Sequence, residues 1–168
     1  MPKIIENLEA RLIEEAKRQI EEAGYGAMTI RSVAAGCGVG VGTVYNYFSS
    51  KEELIAKHLL EDWLKCVTAI QAVSTYSDSP RPVTLCIYDQ LLSFTRSHGA
   101  IFRDKAAAAS FTGSFSHYHS MLRSQLAQPL VKFCEDRFAA EFIAEALLTW
   151  TMASKTFDEI YGMIEKLF

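Results

Sequence analysis

Histidines and cysteines are the side chains most able to hold a metal or attack a substrate, and in this chain they are poorly arranged for either task. His117 and His119 flank Tyr118. Two residues apart on a helix, they stand on different faces, and no carboxylate adjoins them, so the pair reads as structural or solvated. His58 and His98 are distant from it and from each other in sequence. Cys37, Cys66, Cys86 and Cys134 are scattered without a C-x-x-C spacing and read as free, buried thiols. No Ser-His-Asp or paired-carboxylate arrangement stands out, so neither catalysis, a cofactor nor a metal is expected. The run Gly36-x-Gly38-x-Gly40-x-Gly42 lacks both the G-x-G-x-x-G spacing and the preceding strand of a nucleotide loop.

A different chemistry is written between Met28 and Leu54. If residues 40–48 form a helix, Val39, Val44 and Phe48 can turn inward. Gly40, Val41, Gly42, Thr43, Tyr45, Asn46 and Tyr47 are then left outside. Hydroxyl and amide side chains can bond phosphates, asparagine can read adenine, and a valine methyl can touch a thymine methyl. From Gly24 to Lys51 there is no acidic residue, and Arg31 and Lys51 are the only charged ones, although acidic clusters flank the stretch. The whole chain carries a formal net charge of −3, which argues against a generally sticky nucleic-acid binder. Any positive face must be local.

The elements that would position these groups are helices. Ile5, Leu8, Leu12, Ala16, Ile20 and Ala23 form one apolar stripe that Gly24 should end. Thr29 can cap a short second helix carrying Ile30, Val33 and Ala34 inward, and the glycines after it should stop it. Ser50 and Glu53 fit a capping box that opens a long helix through Leu54, Leu59, Trp63 and Ile70. Residues 74–82, rich in Ser, Pro and Asp, read as a linker. Beyond it, residues 83–96 are amphipathic around Leu85, Tyr88, Leu92 and Thr95, and residues 100–109 are alanine-rich. A break falls near Gly113, and Pro129 should interrupt a helix over 118–134. Residues 136–153 are strongly helical, and Thr156 with Glu159 caps a last helix. The fold is expected to be all-α, with a helix-turn-helix in residues 1–48 and a helical body in 49–168.

Taken together, Thr29-x-Arg31, Val33-Ala34 and the run from Gly38 through Tyr45-Asn46-Tyr47-Phe48 to Ser50-Lys51-Glu52-Glu53-Leu54 resemble the signature of the tetracycline-repressor (TetR) family. The resemblance covers about the first third of the chain. It implies a homodimer with a three-helix DNA-binding head and a body that binds a small inducer. By position, Thr29, Thr43, Tyr45, Tyr47 and Lys51 match phosphate-contacting residues of the family, and Val41, Gly42 and Asn46 match groove-facing ones. One departure stands at Gly40, where the family commonly has serine; glycine there loses a side-chain cap and a possible phosphate contact.

For the body, an aromatic inducer pocket would draw on Trp63, Tyr88, Phe94, Phe102, Phe111, Phe115, Tyr118, Met121 and Trp150. The scarcity of charge there points to an apolar ligand. Phe138, Phe142, Ile143, Ala146, Leu147, Ile160, Tyr161 and Ile164 lie on the stripes of the last two helices, which suit a four-helix dimer interface. The expected protein is thus a cytoplasmic, non-enzymatic repressor that binds double-stranded operator DNA and is released by a small molecule. The alternative is a DNA-binding protein controlled by a protein partner. Neither a signal peptide nor a membrane span is legible.

Overall fold

The computed structural model describes residues 7–105, 107, 109 and 115–168, and among these every regular element is a helix. Helix α1 (Leu8–Ala23) buries Leu8, Leu12, Ile13, Ala16 and Ile20 and ends at Gly24. Helix α2 (Ile30–Cys37) is opened by Thr29: its hydroxyl accepts from the Ser32 N–H, and the Ser32 hydroxyl accepts from the Thr29 N–H, both at 3.0 Å. Gly38 closes α2 at φ +68°, a left-handed conformation that costs glycine little. Helix α3 (Val41–Tyr45) is short, and α4 (Lys51–Tyr76) runs for 26 residues.

Helix α5 (Pro80–Ser97) is followed by α6 (Gly99–Phe102). Helix α7 (Phe115–Ala127) gives way at Pro129 to a 3-10 turn, Gln128–Phe133, because proline cannot donate to the α ladder. Asp136 caps α8 (Arg137–Met152) by accepting from the Ala139 N–H at 2.8 Å. Thr156 and Glu159 form a complete capping box at α9 (Phe157–Ile164), and a 3-10 turn, Glu165–Leu167, follows. No helix among the described residues is long and apolar enough to cross a membrane.

Two compact units result. The first, Met1–Glu61 with His98–Thr112, packs Leu12, Val33, Val44, Leu54, Ile55 and Ile101 into one core. The second, Asp62–Ser97 with Gly113–Phe168, packs Ile70, Ile87, Leu126, Leu130, Ile143 and Leu147 into another. Each fully buried aliphatic side chain contributes about 1.5–3 kcal/mol through removal from water.

Three sequence expectations are corrected. The supposed linker is short: α4 extends through Ser74 to Tyr76, and Pro80 and Pro82 open α5, where the first-turn amides have no helical partner to lose. The buried stripe of α5 is Val83, Thr84, Ile87 and Leu91, while Leu85 is exposed, so the helix is rotated by about one residue from the pattern read in sequence. At the head of α4, Ser50 accepts from the Glu53 N–H as expected, but the Glu53 carboxylate reaches back to the backbone N–H and hydroxyl of Ser49 instead of Ser50. Those two bonds hold the Glu53 carboxyl below its ordinary range.

Candidate nucleic-acid interface

Helices α2 and α3, joined by Gly38–Gly40, form a helix-turn-helix. Val44 and Phe48 are fully inside and Val39 is half-buried. Tyr45 is 54% exposed and Tyr47 43% exposed, large values for aromatic side chains with a core so close. Gly40, Gly42 and Asn46 are exposed beside them, Val41 and Thr43 are half-buried, and Thr29 and Arg31 are exposed at the start of α2. A rim of hydroxyl, amide and aromatic groups, anchored by buried Val44 and Phe48, can offer hydrogen bonds to phosphates and base edges together. At the start of α3, Gly40 supplies no side-chain cap, and the first helical bond runs from the Thr43 N–H to the Gly40 carbonyl at 2.9 Å.

Helix α1 braces this rim. Arg11 Nη2 donates to the Cys37 carbonyl at 3.2 Å, and the Cys37 thiol donates back to the Arg11 carbonyl at 3.4 Å. One turn from the other end of α2, the Ser32 hydroxyl donates to Gln19 Oε1 at 2.5 Å. Gly36 permits the close approach: a Cβ there would lie 2.1 Å from a Glu15 carboxylate oxygen. Arg18 and Gln19 hold that carboxylate, and their hydrogen bonds keep its pKa below the usual range.

Lys51 is placed differently from the other site candidates. Its ammonium donates to the carbonyls of Tyr25 and Met28 and lies 3.9 Å from the centroid of the Tyr25 ring. Tyr25, 2% exposed, donates its hydroxyl to Glu52 at 3.3 Å. Asp104 accepts from the Gly26 N–H at 3.3 Å and tethers the same loop. Burial pushes the Lys51 pKa down, partly opposed by the Glu52 and Asp104 carboxylates. The bracing residues Arg11, Gln19, Tyr25 and Asp104 have no signal in spacing, since their partners lie from 13 to 78 positions away.

In the second unit, Trp63 and Phe94 meet edge to face at 5.5 Å, and the Trp63 indole N–H donates to Gln125 at 2.6 Å. Met121, one turn before Gln125, is half-buried. The remaining aromatic residues of the expected pocket scatter. Tyr88 packs on Phe157 at 5.7 Å and donates to the Lys155 carbonyl. Phe102 belongs to the first unit, while Tyr118 and Trp150 are 41% and 50% exposed. Phe111 and the Phe115 side chain lie outside the described residues. The expected dimer stripe also divides. Ile143, Leu147, Ile160, Tyr161 and Ile164 are buried in the core of their own unit, and Ala146 is half-buried. Phe138 (73% exposed) and Phe142 (55% exposed) face outward. All four cysteines are free thiols, Cys66 buried and the others half-buried.

Residues 12–57 match the sequence profile described as bacterial regulatory proteins, tetR family. The chain is 34% identical over 73 residues to the uncharacterized HTH-type transcriptional regulator YuxN of Bacillus subtilis (strain 168), a match covering 44% of this chain. The chain spans 25% of the length of that curated relative. Among solved structures, it is similar to a transcriptional regulator from Aquifex aeolicus VF5 with TM-score 0.65 and 19% identity, over 95% of this chain and 94% of that one. It is also similar to the transcriptional regulator FadR from Bacillus subtilis, solved in complex with stearoyl-CoA. That TM-score is 0.56 at 16% identity, over 94% of each chain. At these identities the likeness concerns the fold.

Proposed function

We propose that this chain, whose residues 12–57 match the tetR profile, is a cytoplasmic transcriptional repressor of that family that binds operator DNA as a homodimer and releases it when a small apolar molecule binds its body. On that reading no catalytic step enters. The observation that carries the proposal is the rim of half-buried Thr43 and exposed Tyr45, Asn46 and Tyr47 on a helix-turn-helix braced from behind by Arg11 and Gln19. The rim enters the major groove, with Val41, Gly42 and Asn46 toward base edges and Thr29, Arg31, Thr43, Tyr45 and Tyr47 toward phosphates. The small apolar ligand would meet Trp63 and Phe94, the two aromatic residues of the expected set that pack on each other, beside Gln125. The stearoyl-CoA bound to FadR supports an apolar occupant for a body of this fold. Helix α4 contributes Leu54 and Ile55 to one core and Trp63 and Ile70 to the other. A ligand beside Trp63 therefore touches the same helix that carries Lys51; it lowers DNA affinity only by binding the released state more tightly.

Selection of sites from a random double-stranded library by the full chain, followed by gel shifts, tests this. The expected result is a near-palindromic site with half-sites roughly 34–36 Å apart and affinity falling about 0.9 log units per log unit of salt for each phosphate neutralised. Tyr47→Ala should weaken binding to every sequence alike. No enrichment at low salt, or an unaltered Tyr47→Ala variant, would overturn the reading.

A further inference from the structure

The fold brings together three side chains that the DNA-binding reading does not use. His58 sits on the second turn of α4 and His98 is the residue preceding α6; they are 5% and 3% exposed. Their rings meet edge to face, with centroids 4.9 Å apart and planes at 74°. Asp62 follows His58 by four residues on α4, which puts both on one helix face. One donor atom from each of His58, Asp62 and His98 lies within 4.8 Å of the other two.

We propose that His58, Asp62 and His98 form a binding site for a divalent transition metal of the zinc, cobalt and nickel class. Two imidazoles and one carboxylate are the mixed donor set these ions favour, whereas magnesium and calcium take oxygen donors throughout. Around a tetrahedral ion with bonds of about 2.0–2.1 Å, donors stand about 3.3 Å apart. The donors, within 4.8 Å of one another, would have to close by somewhat more than an ångström to reach that spacing. Asp62 Oδ1 already accepts from Lys65 at 2.7 Å, and a carboxylate has a second oxygen for a metal. Three protein ligands leave a fourth position for water or a small ligand, the pattern of an exchangeable site rather than a closed structural one. An ion there would tie α4 to the start of α6. The competing arrangement is a metal-free cluster held by contacts within the protein alone.

Cobalt titration of the full, chelator-dialysed chain separates the two. The expected result is visible d–d absorption saturating at one Co2+ per chain, displaced by Zn2+, with a rise in thermal midpoint as metal binds the folded state. His58→Gln and His98→Gln should abolish the band, while His119→Gln leaves it unchanged. If either histidine variant loses its native circular dichroism, Asp62→Asn, at a side chain 26% exposed, takes its place and should weaken binding about tenfold or more. Absence of a saturable band, or a band that survives in a folded His98→Gln or Asp62→Asn variant at full affinity, overturns the proposal.

Discussion

The Lys51 ammonium stands 3.9 Å from the centre of the Tyr25 ring and bonds the carbonyls of Tyr25 and Met28. It therefore acts first on the loop between α1 and α2; under the proposed function its effect on DNA runs through the position of Thr29 and Arg31. Lys51→Ala leaves two carbonyls without their charged donor, at a cost of about 1–3 kcal/mol. Urea unfolding should report that loss of stability, and gel shifts should show weaker binding to all sequences. A phosphate contact alone would weaken DNA binding and leave the urea midpoint unchanged.

Gly40 gives α3 no side-chain cap, and a Cβ built there meets only Thr43 Oγ1, at 3.9 Å. Gly40→Ser therefore fits without displacement and supplies an oxygen for the Thr43 N–H. The gain in stability should be a few tenths of a kcal/mol, because glycine is itself a tolerable N-cap. Operator affinity should rise with it. Matched denaturation and gel-shift series check both.

Phe138 and Phe142 leave the core of their own unit and face outward on α8. Phe142→Glu puts a charge on that face without opening the core, so the helical circular dichroism should be retained. Light scattering should then find a monomer, and DNA binding should weaken. A variant that stays dimeric would place the two-fold contact elsewhere.

Glu159 accepts from the Thr156 N–H and hydroxyl and from Lys155, and these bonds depress its carboxyl to about 2. The folded pKa lies below the unfolded one, so the contribution to stability is present above the ordinary carboxylate range and is lost as pH falls toward about 2. Carboxyl NMR titration should find Glu159 ionised well below pH 4, and Thr156→Ala should move its midpoint upward. A midpoint already at the ordinary carboxylate value in the unmutated chain would contradict the capping box as the cause.

The helix-turn-helix was legible because its information is local. Thr29, Gly38 and the inward Val44 and Phe48 each act within a few residues, and caps and glycines fix the ends. The faces of α5 were not. Thr84 is fully buried because its hydroxyl bonds back to the Pro80 and Arg81 carbonyls, so a polar residue stands where the pattern sought an apolar one. The stripes of the last two helices were legible only as apolar: a helix as apolar as α8 shows which residues avoid water but not which of two apolar faces its own unit takes. His58 and Asp62 carried a signal in their four-residue spacing, but His98 lies 40 positions further and only the fold could bring it in.

The end of α4 has one more consequence. Lys132 bonds the carbonyls of Ser74 and Ser77 at 2.5 and 2.9 Å, and the Ser74 hydroxyl bonds the Pro129 carbonyl at 3.0 Å. The stretch whose serines and prolines advertise a cleavable joint is thus stitched to the 3-10 turn after α7. A protease must first break those threads to cut there, so the composition of that stretch misleads anyone choosing where to cut.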